Sequence, residues 1–89
     1  MNILYTTQFK KDYKRVKRQN KSLDKLKAVI EKLVAGEKPG PRYKDHPLSG
    51  NWSGHRDCHM ETDWILIYRI HEDNLYLERT GSHAELFKK

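Results

Sequence analysis

The sequence predicts an α+β fold: an N-terminal strand and a helical hairpin packed on one face of a small, mainly antiparallel, curved sheet, with a short C-terminal helical turn. Three observations carry this reading. Apolar residues recur at helical spacing between Phe9 and Leu33. Three later runs, about His55 to Met60, Trp64 to Ile70 and Leu75 to Thr80, have the length and composition of strands. The connections between these runs are short, so the strands pair antiparallel as a meander.

Taken in order, Ile3, Leu4 and Tyr5 make a short opening strand that runs into the capping residues Thr6-Thr7. Phe9, Tyr13 and Val16 follow at i, i+4 and i+7 with cations between them, which is a helix with a narrow apolar stripe. Asn20 and Ser22 break the chain. Leu23, Leu26, Val29, Ile30 and Leu33 then form a wider stripe that stops at Gly36. All three prolines fall between Glu37 and Gly54, so that stretch reads as an ordered loop or linker, with Tyr43 and Trp52 packing back onto the domain. Glu72-Asp73-Asn74 is a hairpin connection, and Ser82-His83-Ala84-Glu85 is a capping box that opens a last helical turn carrying Leu86 and Phe87. The hairpin's stripe needs the sheet to cover it, which leaves the second sheet face free for a site.

A chain of 89 residues is enough for one domain, spanning 1–89, and too short for two. Eighteen Lys and Arg against twelve Asp and Glu leave a net +6. The excess is crowded into Lys10, Lys11, Lys14, Arg15, Lys17, Arg18, Lys21, Lys25 and Lys27. Such a face is either a solvated surface or a binding surface for a polyanion, nucleic acid or an acidic protein. The single Cys58 rules out an internal disulfide and lacks the companions of a structural zinc site. The expectation is a reducing, cytoplasmic setting. There is no signal-peptide pattern and no apolar run approaching the ~20 residues of a membrane span, so the chain is expected to start at its own Met1 and to engage no membrane.

The best strand in the chain is preceded by unusual ionisable chemistry. In HRDCHMETDWILIYRI, strand parity places His55, Asp57 and His59 on one face and Arg56, Cys58 and Met60 on the other. Cys58 and Met60 look buried against the helices, which points Asp57 and His59 outward. Three histidines, His46, His59 and His83, and Asp63 come from four separate segments. RNA cleavage needs such a set: a base for the 2′-hydroxyl proton, an acid for the leaving 5′-oxygen, and a cation for the phosphorane. Lys44, Arg56 and Arg79 are candidates for the cation. Taken alone, His46 and His71 are ordinary loop histidines. Trp64 and Phe87 are core residues or base-stacking platforms. The four-residue set has zinc-compatible donors but no compact ligand spacing, so no metal is assigned.

The strings YKDHPLSGNWSGHRDCHMETDWILIYRI and LERTGSHAELF resemble the YafQ-type toxins of the RelE/ParE superfamily, in the motifs K-D-H-P-L, G-x-x-D-x-H, D-W-I-L-I-Y and E-R-T-G-x-H-x-x-L-F. The resemblance is close over the C-terminal half and extends to the N-terminal half by layout. It implies a RelE-like fold and the toxin of a type II toxin–antitoxin system: a ribosome-dependent endoribonuclease, an mRNA interferase, without a cofactor. The implied partners are the ribosome, mRNA and a cognate antitoxin, with the free toxin monomeric. The catalytic set it implies is His46, His59, Asp63 and His83, with His83 the general acid. Lys44, Arg56, Asp57, Trp64, Arg79 and Phe87 are expected to support RNA binding or the transition state. His55 stands where the family carries an aromatic residue. The alternative on the same scaffold is a non-catalytic, ParE-like inhibitory protein.

Overall fold

Strand β1 (Asn2–Tyr5) turns directly into helix α1 (Thr7–Arg18), because the Thr6 hydroxyl accepts from the Phe9 amide and closes the first helical turn. The structure is a computed structural model and describes residues 1–87. Helix α2 (Leu23–Val34) follows and stops where Gly36 takes a left-handed φ of 79°. The Pro- and Gly-rich stretch holds two single 3-10 turns, Pro41–Tyr43 and Gly50–Trp52, and between them a two-residue strand β2 (His46–Pro47) that the sequence did not announce. Strands β3 (Arg56–Glu61), β4 (Trp64–His71) and β5 (Asn74–Gly81) form the expected meander, and α3 (His83–Leu86) ends the described chain. The sheet runs β1-β5-β4-β3-β2, antiparallel except for the parallel pairing of β1 with β5.

The amphipathic hairpin covers one face as its stripes require. Phe9, Val16, Leu26, Val29 and Leu33 meet Cys58, Met60, Trp64, Leu66, Tyr68, Leu75 and Leu77 in the main core. The second face is not free, however. Ile65, Ile67 and Leu86 are buried there, with Leu48, Trp52 and Phe87 packed against them. The first five residues of β4, Trp64 to Tyr68, are buried on both faces and needed a second cover, and the loop and α3 supply it.

Two features fix α1 on the sheet. β1 pairs with only the first half of β5, so the remaining edge of β5 carries unpaired backbone groups. Side chains of the α1 segment satisfy them: Thr6 Oγ1 donates to the Glu78 carbonyl at 2.8 Å, Arg15 Nη2 donates to the Thr80 carbonyl at 3.0 Å, and the Thr80 amide donates to Asp12 at 3.2 Å. Asp12 is fully buried and also receives Arg79 and Arg15, so its charge is compensated from every side.

Candidate active site

Four segments converge at one end of the second sheet face. The His46 ring from β2 lies 6.3 Å from that of His59 on β3, which lies 5.3 Å from that of His83 at the start of α3, which lies 6.1 Å from Phe87. Asp63, in the β3–β4 turn, joins the row through His83: its Oδ1 accepts from the His83 amide at 2.9 Å and meets Nδ1 at 2.7 Å. All four members of the expected catalytic set are thus within one surface patch. The capping box that seats His83 is complete, with the Ser82 hydroxyl accepting from the Glu85 amide and Glu85 accepting from the Ser82 amide. Arg15 reaches Glu85 at 3.1 Å, so α1 steadies α3 from behind.

The two carboxylates of the patch differ in kind. Asp63 is exposed, and the His83 amide and ring hold it below the ordinary carboxylate range. It is therefore an anion that fixes the proton of His83 on Nδ1 and leaves Nε2 open to a substrate. Asp57 was expected to point outward, away from the helices. It shares that face with His59 as expected, and there β2 pairs His46 against it, so that its side chain is only 4% exposed. Burial pushes its carboxyl up, and the imidazoles of His46, His59 and His83 pull it back. His46 Nε2 stands 2.9 Å from its Oδ1. His46, Asp57 and His59 also bring one donor atom each within 4.8 Å of one another. The His46–Asp57 separation of 2.9 Å is short enough for a hydrogen bond, yet Asp57 Oδ1 receives no aligned one, and the trio's donor types and spacing would also suit a transition-metal ion.

Three expected supporting residues lie elsewhere. Trp64 is fully buried in the main core on the helix side, its Nε1 donating to Thr80 Oγ1 at 3.0 Å, so it offers no stacking surface to RNA. Arg79 is held by Asp12, with Nε at 2.6 Å and Nη2 at 3.2 Å. Arg56 lies on the helix side of β3 by strand parity and binds Asp45 at 3.1 Å, where Tyr68 also donates. Neither arginine is available to a phosphorane at the histidine row. Lys44 is exposed, in a left-handed turn two residues before His46. Phe87 is half-buried at the end of the row. His55 lies outside the row, meeting Trp52 edge-on at 5.2 Å and Glu78 at 3.3 Å. Lys21, which sequence reasoning placed only in the basic run, lines a polar cavity of about 400 Å³ with Asp63, Ser82 and Glu85 and helps to hold Asp63 ionised.

The family model for YafQ, a bacterial toxin of type II toxin–antitoxin systems, matches residues 1–88. The chain belongs to the YafQ toxin family. It is 47% identical over 87 residues to the mRNA interferase toxin YafQ of Escherichia coli K12, covering 97% of this chain and 95% of that one. The crystal structure of YafQ from E. coli BL21(DE3) superimposes with a TM-score of 0.92 at 45% identity, over 97% of each chain. The E. coli DinJ–YafQ complex gives 0.90 at 46% identity, again over 97% of each. The YafQ fold is therefore that of this protein, and the sequence motifs that signalled the family are the segments that meet at the histidine row.

Proposed function

We propose that this protein is a type II toxin acting as a ribosome-dependent endoribonuclease, cleaving mRNA by metal-free acid/base catalysis and held inactive by a cognate antitoxin. The observation that carries this reading is the His83–Asp63 pair: a proton fixed on Nδ1 by a carboxylate, with the His83 ring 5.3 Å from that of His59. In the reaction the 2′-oxygen of the ribose bonds to phosphorus as its proton passes to an imidazole of the row. The bond from phosphorus to the 5′-oxygen breaks as His83 protonates that oxygen, leaving a 2′,3′-cyclic phosphate and a 5′-hydroxyl. Asp63 stabilises the imidazolium form of His83 before the transfer. Phe87, next in the row, offers a face for a base, and Lys44 a charge for the RNA backbone.

Support for the activity comes from the E. coli relative's name as an mRNA interferase toxin, and support for the antitoxin from the complex of that toxin with DinJ. The chain has no helix long and apolar enough to cross a membrane among the described residues, in keeping with a ribosomal target. The test is cleavage of a defined message on programmed ribosomes in magnesium buffer, by toxin first treated with EDTA and dialysed free of it, with the ends mapped. Cyclic or 3′-phosphate and 5′-hydroxyl ends are expected, and His83→Ala is expected to lose ~1,000-fold or more in rate. Loss of all cleavage by the stripped toxin, restored by adding back a transition metal, would refute the metal-free chemistry. Growth arrest by His83→Ala as strong as that of the parent would favour the non-catalytic inhibitor instead.

A further inference from the structure

Helix α3 is a single turn of four residues, and a turn that short does not hold itself in water. Its capping box joins Ser82 to Glu85, and its backbone bonds join Leu86 to Ser82 and Phe87 to His83, so all of these move with the turn. Leu86 and Phe87 pack against Ile65 and Ile67, which sets how deep the turn lies. Apolar contact has no direction, however, and leaves its rotation open. The hydrogen bonds and ion pairs that reach α3 from outside, among the described residues, are those of Asp63 to His83 and of α1 to Glu85.

The tie from α1 is built around one guanidinium. Arg15 Nη2 donates to the Thr80 carbonyl at 3.0 Å, Nη1 stands 3.1 Å from the buried Asp12, and Nε stands 3.1 Å from Glu85 Oε2. The Nε contact lacks the alignment of a hydrogen bond, so it acts as an ion pair between two full charges. Gln19, just past the end of α1, donates to the same carboxylate oxygen at 3.3 Å. The other oxygen, Oε1, accepts from the Ser82 amide at 2.8 Å. Glu85 therefore closes the capping box with one oxygen and binds α1 with the other. A Cβ on Gly81 would stand 2.5 Å from Arg15 Nη2 and 2.9 Å from Glu85 Oε1, so the backbone that leads from β5 into α3 closes directly over the pair.

We infer that Arg15 and Glu85 are positioning residues: their ion pair sets the rotation of α3 and so keeps the His83 ring against Asp63, without touching RNA. The consequence for cleavage rests on the nuclease reading, whereas the consequence for the His83 ring does not.

Two measurements on the full chain test it. At about pH 8.5, imidazole nitrogen spectra of the isotope-labelled parent are expected to show His83 with its proton on Nδ1, the tautomer that Asp63 Oδ1 selects at 2.7 Å. Arg15→Leu and Glu85→Gln are each expected to divide His83 between the two tautomers. Glu85→Gln is the milder change, because glutamine also completes a capping box, and it serves alone should Arg15→Leu not fold. Val29→Ala loosens the core on the opposite side of the sheet and is expected to leave the His83 tautomer as in the parent. A tautomer unchanged by the α1–α3 variants, or mixed to the same degree in Val29→Ala, overturns the inference whether or not RNA is cleaved, so this failure is separable from failure of the nuclease reading. On programmed ribosomes, Arg15→Leu and Glu85→Gln are each expected to lower kcat about tenfold with little change in KM, and the double variant to lose no more than the larger single loss, since each breaks the same tie. Losses that multiply to about a hundredfold are those of two independent residues and overturn it.

Discussion

Residue by residue, the site is a lesson in what environment does to one kind of side chain. Asp63 and Glu85 are both held below their ordinary values of 3.8 and 4.5, chiefly by backbone amides of His83 and Ser82. Each therefore binds fewer protons folded than unfolded. The stability they contribute is complete above those ordinary values and is lost as the pH falls through the depressed ones. Asp57, held above 3.8 by burial, has the opposite sign and offsets part of that loss. Asp63→Asn should accordingly show a smaller fall in melting temperature between pH ~5 and pH ~3 than the parent. An identical fall would mean that the pairing with His83 is not kept in solution. Cys58, pushed up to about 12 by its apolar surroundings, stays a neutral thiol throughout. The identities of the four row residues were legible in the sequence through residue type and motif order. The distractions of Trp64, Arg56 and Arg79 were not avoidable there, because only tertiary structure assigns an indole to a core or a guanidinium to a buried Asp12.

Among the elements, those with a strong period follow from spacing, and packing settles the rest. Both helices and the meander belong to the first group. β2 does not, since two residues carry no period and owe their conformation to pairing His46 with Asp57 and Pro47 with Arg56. The parallel seating of β1 against β5 was equally invisible, because nothing in Ile3 to Tyr5 names its partner. Asp12 left a faint signal: Phe9, Asp12 and Val16 fall at i, i+3 and i+7, so an acid occupies a position on the buried stripe. Its work is to hold α1 against the open edge of β5. Asp12→Ala should destabilise the fold by about 3 kcal/mol or more, since it strands Arg79, Arg15 and the Thr80 amide together. Denaturant midpoints would measure this, and a change under about 1 kcal/mol would show that the buried charge is not a tie.

At the scale of the whole molecule, the chain separates its two chemistries. The cations of α1 lie on the helical side, with Lys14, Lys17 and Arg18 exposed, while the histidine row faces the other way across the sheet edge. A solvated face and a face that grips ribosomal RNA differ in one measurable respect. If the latter holds, neutralising Lys14, Lys17 and Arg18 together should weaken ribosome association and flatten its salt dependence, by roughly one unit of log–log slope for each phosphate that is no longer engaged. Unchanged binding would assign that face to water. The overall α+β layout needed only periodicity and connection lengths, whereas the second apolar cluster over Ile65 and Ile67 depended on a loop and a one-turn helix returning to the sheet. That return places His83 on the last helix, after His46, His59 and Asp63 in chain order. On the nuclease reading, then, strands and helices emerge during synthesis before the residue proposed as the acid, and a nascent chain short of α3 still lacks that residue.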